Sequence, residues 1–460
     1  MLLPLRPAAS PVPRRRRGQQ HGVHPARVVV LGFAAAVAVG TALLMLPVAK
    51  AGDGGATFVE ALFTATSAVC VTGLVVVDTP TYWTGFGQVV VLALIQVGGF
   101  GIMTMASLLG LLISRRLGLR SRLTTAHESK SLSLGDVRSV LLGVARVTVV
   151  VEAGVALVLT ARFALGYGEP IGRAVWLGVF HSLSAFNNAG FALWSDSLMG
   201  FVTDPWVCLP IAVAVVLGGI GFPVLFELRR QLRRPSRWSL HTKITVLGTA
   251  VFLLGGTLFV TAAEWSNPGT LGPLDTPGKL LAGFFSGVMP RTAGFNSLDV
   301  AAMNTGTWLG TDVLMFIGGG SAGTAGGIKI TTFLVLLLVI VAEVRGDEHV
   351  TAFGRRVPVS AQRQALTVAL LGVAAVVGPS ILFAMTTPFS LDEVLFEVTS
   401  AFGTVGLSTG ITDDLPTPHQ LVLVVLMFLG RTGPITLATA IALRHREVLY
   451  RLPEERPVIG

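Results

Sequence analysis

The chain has 460 residues, 52% of them hydrophobic and only 13% charged, with a formal net charge of +9. Soluble domains carry about 25% charged residues, and the apolar excess here is gathered in runs of about 20 residues, so a soluble globular protein is excluded. Two cysteines, Cys70 and Cys208, are too few for a disulfide framework.

The positive charge is unevenly placed. Of the 34 Lys and Arg, 26 fall in the segments 1–27, 114–138, 229–243, 343–363 and 444–460. The opposite connectors hold Lys50, Arg162, Arg173, Lys279 and Arg291. This skew follows the positive-inside rule and places both termini in the cytoplasm. The basic segments are expected to face anionic membrane lipids, and no nucleic-acid partner is expected.

Taken in order, residues 1–25 form a Pro- and Arg-rich cytoplasmic N-terminus, expected to be disordered. A first unit, 26–116, holds a span over about 27–48, a short apolar helix over about 56–68, a glycine loop and a span over about 85–113. The second unit, 117–235, repeats the order with a span near 139–165, a short helix near 172–185 and a span near 205–228. The third, 236–345, has a span near 243–263, a short helix near 277–288 and a long apolar stretch over about 308–342. The fourth, 346–446, has a span near 364–386, a short helix near 391–401 and a span near 419–443; 447–460 is a cytoplasmic C-terminus. The expected fold is therefore an all-helical membrane protein. Four parallel repeats of span, pore helix and span give eight transmembrane helices around a pseudo-four-fold pore. A barrel is excluded because the runs do not alternate apolar and polar residues.

The glycine loops organise the chain. They are Thr66-Ser67-Ala68-Val69-Cys70-Val71-Thr72-Gly73-Leu74, Ser184-Ala185-Phe186-Asn187-Asn188-Ala189-Gly190-Phe191, Val288-Met289-Pro290-Arg291-Thr292-Ala293-Gly294-Phe295 and Ser400-Ala401-Phe402-Gly403-Thr404-Val405-Gly406-Leu407. Their aligned glycines, Gly73, Gly190, Gly294 and Gly406, are separated by 117, 104 and 112 residues. Such a period marks internal repetition. Each unit has an even number of full spans, so all four loops lie on one side of the bilayer. Irregular backbone at membrane depth is tolerated only around a cavity or inside protein, and a ring of carbonyls can replace a cation's hydration shell. The negative C-terminal end of each short helix adds to that field. Acids on the outer connectors, among them Asp78, Asp196, Asp299, Asp413 and Asp414, either concentrate cations at the mouth or are ordinary solvated loop residues. Only the glycine repeats in all four loops, so weaker selectivity than a symmetric potassium channel is expected, with sodium or rubidium also admitted.

Two further features lie inside the apolar runs. Gly318-Gly319-Gly320-Ser321-Ala322-Gly323-Thr324-Ala325-Gly326-Gly327-Ile328-Lys329 cannot remain a stable helix, since each glycine costs about 1 kcal/mol against Ala. It is expected to break the span into halves, either as a gate below the filter or as a packing kink. It lacks the Gly-Lys-Ser/Thr ending of a phosphate-binding loop. Arg431 sits mid-span, where insertion costs about 2.5–3.5 kcal/mol, and is expected to line the pore and touch that glycine-rich stretch. Arg291 is expected to brace its helix end, with direct ion selection as the alternative, and to pair with a neighbouring acid. Glu152 is expected to pair with Arg146. His127 and His181 have no partners at metal-ligand spacing. No nucleophile–base set is present, so no enzyme is expected.

The first, third and fourth loops, continued through Asn296 and through Ser408-Thr409-Gly410, together with Gly323-Thr324-Ala325-Gly326-Gly327-Ile328-Lys329, closely resemble the Ktr/Trk/HKT superfamily of potassium transporters. Without an extra helix pair before the first unit, the chain is more similar to the Ktr-type membrane subunit. The resemblance implies ion binding at Val71, Thr72, Asn188, Ala189, Thr292, Ala293, Thr404 and Val405, a gate at 318–329 and a pore arginine at Arg431. It also implies a homodimer on a separate cytoplasmic ring of nucleotide-binding subunits, in a bacterial inner membrane, carrying potassium without a cofactor and often stimulated by sodium. The third loop departs from the family pattern at Gly287 and Pro290. The function expected is potassium uptake through a gated single-glycine filter, with a sodium-coupled symporter as the alternative.

Overall fold

A computed structural model describes residues 25–122, 134–443 and Pro453. The basic N-terminus before residue 25, the segment 123–133 with His127, and the C-terminal tail apart from Pro453 lie outside the described residues. Among the described residues the regular secondary structure is helical apart from one small hairpin. Its helices are α1 (Pro25–Leu44), α2 (Phe58–Cys70), α3 (Thr79–Tyr82), α4 (Gly85–Arg122), α5 (Leu134–Gly166), α6 (Ile171–Phe186), α7 (Pro205–Gly219) and α8 (Phe222–Gln231). After these come α9 (Leu240–Glu264), α10 (Thr276–Val288), α11 (Thr305–Phe316), α12 (Ile330–Arg345), α13 (Val359–Thr386), α14 (Leu391–Gly403) and α15 (Thr417–Leu443). The hairpin pairs β1 (Thr351–Ala352) with β2 (Arg355–Arg356) through Phe353 and Gly354, both at positive φ, as a two-residue primed turn requires.

Among the described residues, five helices are long and apolar enough to cross a bilayer: Arg27–Leu44, Gly85–Thr104, Val140–Gly166, Leu240–Glu264 and Val359–Thr386. The helices close a circle. α1 packs on α2 and α4, α5 on α6 and α7, α9 on α10, α11 and α12, and α13 on α14 and α15. These groups join through α4 with α5, α7 with α10, α11 with α14, and α15 with α2.

The short helices α2, α6, α10 and α14 lie over the four stretches expected to hold them. α2 and α14 start at capping boxes, Thr57 with Glu60 and Ser390 with Glu393, while Asp275 caps α10. Such caps satisfy the otherwise unpaired first-turn amides. Small residues let these helices approach their neighbours. A Cβ added at Gly287 would lie 2.7 Å from Thr257 Cα, so α10 and α9 meet backbone to backbone. That contact is the physical reason for glycine at 287.

One span differs from its expected form. The stretch 205–228 is not a single helix, because α7 and α8 meet at 100° across Ile220 and Gly221, the latter at φ +99°. The long stretch 308–342 is also broken, with α11 ending at Phe316 and α12 starting at Ile330.

Candidate functional site: a closed ring of four glycine loops

Three of the short helices end in the same way. In the first loop Val71 N–H donates to Ala68 O at 3.1 Å and Thr72 N–H to Ser67 O at 2.8 Å. In the second, Asn188 donates to Ala185 O at 3.0 Å and Ala189 to Ser184 O at 2.7 Å. In the fourth, Thr404 donates to Ala401 O at 3.2 Å and Val405 to Ser400 O at 2.9 Å. This is the Schellman pattern, which normally places glycine in the left-handed position. Here the position is held by Val71, Asn188 and Thr404, at φ 56°, 58° and 49°. A β-branched residue there is strained, at about 1–3 kcal/mol, and persists only when its surroundings over-determine it.

Hydroxyls do part of that work. Gly73 N–H donates to Ser67 Oγ at 3.0 Å, and Gly406 N–H donates to Ser400 Oγ at the same distance. Ser184 Oγ instead donates to Phe191 O at 2.8 Å. The third loop has Val288 at that place and no hydroxyl. Ala293 and Gly294 N–H both turn back to Met289 O, at 3.0 and 3.4 Å, and Thr292 takes φ 69°.

The four glycines meet in a ring. A Cβ built on Gly73 would lie 3.2 Å from Gly190 Cα; one on Gly190, 3.0 Å from Gly294 Cα; one on Gly294, 3.1 Å from Gly406 Cα; and one on Gly406, 3.0 Å from Gly73 Cα. The same positions face the carbonyls of Ala189, Ala293, Val405 and Thr72 in turn. All four glycines have positive φ, between 71° and 95°. No side chain fits, both for backbone conformation and for space.

Val71, Thr72, Asn188, Ala189, Thr292, Ala293, Thr404 and Val405 are all buried. Their carbonyls accept no hydrogen bond among the described residues. Buried carbonyls are usually paired, so a ring of unpaired ones is a set of hard oxygen donors without a protein partner. On one side the glycines open into a cavity of about 310 Å³ that also takes in Asp78, Ser195, Ser408 and Asp413. Of the outer acids singled out above, Asp78 and Asp413 line this cavity; Asp196, Asp299 and Asp414 do not.

Against the ring on the other side lies the glycine-rich stretch, folded into an ordered, buried loop. Gly318 N–H donates to Ile328 O at 2.8 Å and Ile330 N–H to Gly319 O at 3.0 Å, which pins the loop's base. Thr324 Oγ1 donates to Asn188 Oδ1 at 2.8 Å, and Asn188 Nδ2 donates to Arg291 O at 3.3 Å. Gly326 has no room for a Cβ because Thr404 Oγ1 and Gly403 O occupy that space, and Gly327 packs on Gly403. Two cations hold three successive loop carbonyls: Arg431 Nη1 donates to Thr324 O, while Lys329 Nζ donates to Ala325 O at 2.6 Å and Gly326 O at 2.8 Å. Arg431 is only 3% exposed.

The loop also has a partner that the sequence reading missed, the break between α7 and α8. Gly320 N–H donates to Gly219 O at 2.8 Å, Thr324 N–H to Gly218 O at 3.1 Å, and Phe222 N–H to Ala322 O at 3.2 Å. Gly320 and Gly323 lie against Ile220 O and Gly218 O, while Ser321 Oγ shares a hydrogen bond with Thr331 Oγ1 at 3.1 Å. The signal in the sequence was Gly218-Gly219-Ile220-Gly221, a short counterpart of the longer glycine run. A second missed set is Gly98, Gly218 and Gly430. A Cβ at each would strike the carbonyl of Val69, Phe186 or Phe402, the residue four before the ring glycine in its own unit.

Two expected pairs are corrected. Glu152 does not pair with the exposed Arg146. Its carboxylate accepts from Asn187 Nδ2 at 3.2 Å and Gln96 Nε2 at 3.4 Å, so two side-chain amides satisfy it in place of a cation. Arg291 is buried, and no acid among the described residues pairs with it; its Nη1 has no hydrogen-bond partner there. Outside the spans, Tyr82 donates to Glu60 Oε2 at 2.7 Å, and burial together with that carboxylate holds the phenol above its ordinary range.

Comparison with known proteins decides the family. The TrkH cation transport protein family matches residues 8–448. The chain belongs to that family. It is 41% identical to the Ktr system potassium uptake protein B of Bacillus subtilis (strain 168) over 91% of this chain and 93% of that protein. It is 37% identical to the protein of the same name from Vibrio alginolyticus, over 98% of each. It is 33% identical to the potassium/sodium uptake protein NtpJ of Enterococcus hirae, over 95% of this chain and 97% of that protein. The crystal structure of the potassium transporter TrkH from Vibrio parahaemolyticus superposes with a TM-score of 0.71 at 17% identity, over 92% of this chain and 86% of that one, which shows a shared fold. This TrkH-family member is a membrane transport protein of Ktr/Trk type and not an enzyme.

Proposed function

We propose that this chain is the ion-translocating subunit of a potassium uptake system, carrying potassium through the glycine ring and gated by the loop 318–329. The closed ring of unpaired carbonyls carries the reading. In it Val71, Thr72, Asn188, Ala189, Thr292, Ala293, Thr404 and Val405, with the four glycines, present backbone oxygens that substitute for water around a dehydrated cation. Four parallel units of span, pore helix and span, eight spans in all, surround this one axis, bounded at 26–116, 117–235, 236–345 and 346–446.

The loop is the barrier. Gly318, Gly319, Gly320, Gly323, Gly326 and Gly327 supply the freedom to move, and Ser321 and Thr324 supply the contacts that hold the loop when shut. Arg431 and Lys329 set two positive charges beneath the ring, which repel a cation descending from it until the loop withdraws. Flow is passive, inward down an inside-negative potential that contributes about 2.3 kcal/mol per charge per 100 mV. The chain sits in a bacterial plasma membrane with both termini inside, as a homodimer on a separate nucleotide-binding regulatory ring. All four loops differ from one another in the pair of residues before the glycine, which supports weak discrimination against sodium, and the Enterococcus relative is named for potassium and sodium uptake. That name also supports the alternative, a sodium-coupled symporter.

Potassium-limited growth of an uptake-deficient bacterium expressing the chain, with and without a candidate regulator, tests the reading. Growth rescued by the chain supports it; a correctly inserted chain that never restores uptake sinks it. In vesicles, a fixed sodium-to-potassium ratio would select the symporter.

A further inference from the structure

The break between α7 and α8 places two features on one short rigid element. At its N-terminal end, α8 is tied to the loop through Phe222 N–H to Ala322 O, beside the Gly219 and Gly218 carbonyls that bind Gly320 and Thr324. Gly221 backs directly onto Ser321 O, with no room for a side chain. At its C-terminal end and just beyond, Arg229, Arg230, Arg233, Arg234 and Arg237 are all exposed around a surface cavity of about 520 Å³. None of the five pairs with a carboxylate among the described residues. Glu227, the one acid in α8, is occupied by Ser239 Oγ at 2.7 Å and Thr242 Oγ1 at 2.6 Å.

The bend of 100° turns α8 across the direction of α7. With α7 along the bilayer normal, α8 lies near the plane of the membrane face. Phe222 and Val224 bury themselves in the protein, while Leu232, among the arginines, is 66% exposed. Unpaired arginines around an exposed leucine, at and just beyond the end of a helix in that plane, match an anionic lipid surface better than a free anion. The guanidiniums meet headgroups and the leucine meets acyl chain.

We propose that the arginine surface 229–237 binds anionic lipid headgroups of the cytoplasmic leaflet, and that α8 transmits this binding to the loop, holding it latched under the ring. A ten-residue helix is a stiff rod about 15 Å long, so its basic end cannot shift without moving the segment bonded to Ala322. The effect on flux rests on the reading of 318–329 as the gate; the coupling between lipid and loop does not.

The test uses the purified full chain in vesicles of phosphatidylcholine, alone or with an equal part of phosphatidylglycerol. Rubidium uptake is expected to be at least about threefold slower in the anionic vesicles. Changing all five arginines to Gln should abolish the difference and leave fast uptake in both, while changing them to Lys should preserve it. In parallel, Ser321→Cys is labelled with a water-soluble thiol reagent, the two native cysteines being buried. Labelling should slow in anionic vesicles and lose that response in the Gln variant. A labelling rate indifferent to lipid charge overturns the proposal whether or not ions pass. So does an arginine surface that ignores lipid and serves only to retain a cytoplasmic protein partner. Labelling that responds to lipid while no rubidium passes in any vesicle keeps the coupling and removes the gate reading.

Discussion

Glycine at four positions is a steric requirement before it is anything else. At Gly406, φ is +95° and a Cβ would sit 3.0 Å from Gly73 Cα and against Thr72 O. Gly406→Ser therefore costs on the order of 1–3 kcal/mol of backbone strain and pushes neighbouring carbonyls out of register. The expected outcome is a lower potassium-to-sodium flux ratio in a protein that still reaches the membrane; an unchanged ratio would count against the filter. Arg431 acts at the same scale by charge. It is buried and donates to Thr324 O, so under the gating proposed above Arg431→Gln removes both a latch and a repulsion. Lowering a barrier by about 1.4 kcal/mol is about tenfold in rate, and resting rubidium leak is expected to rise by about that factor. A variant that folds and leaks no more than the parent would argue against a barrier role.

Among the elements, the broken helices matter most. The glycine run announces the break between α11 and α12, because so many glycines cannot stay helical. The break between α7 and α8 is quieter, resting on Gly219 and Gly221 in an apolar run that reads as one span. What makes it a real break is the loop from another unit, which takes up the carbonyls of Gly218 and Gly219 that α7 leaves unpaired. Gly221→Ala sets a Cβ onto Ser321 O at φ +99°. It is expected to loosen the loop and speed labelling of a cysteine at position 321 several-fold, with rubidium leak rising in step. Equal labelling rates would show that the two breaks are not coupled.

Over the whole molecule, closeness between helices is set by glycine as well. Gly287→Ala would wedge α10 from α9 at the Thr257 backbone. Overpacking of this kind costs about 1–3 kcal/mol, so a lower melting temperature is expected in detergent or vesicles. Gly306→Ala, with open space around it, is the control and should melt like the parent. An equal fall in both would mean that the interface is not what limits stability.

Composition and the fourfold return of a glycine loop were enough to expect a helical membrane protein with a repeated short helix and loop, because hydropathy and repetition are local properties of the chain. The motif resemblance led to the transport family for the same reason. Arg431 and the 318–329 stretch were legible as misfits in an apolar run. The partners of Glu152 and Arg291, the bend at Gly221 and the reason for Gly287 were not, since each depends on which distant backbone comes within hydrogen-bond or van der Waals reach. A charge at membrane depth signals that it needs company; only the packed helices decide whether Asn187, a loop carbonyl or, among the described residues, no acid provides it.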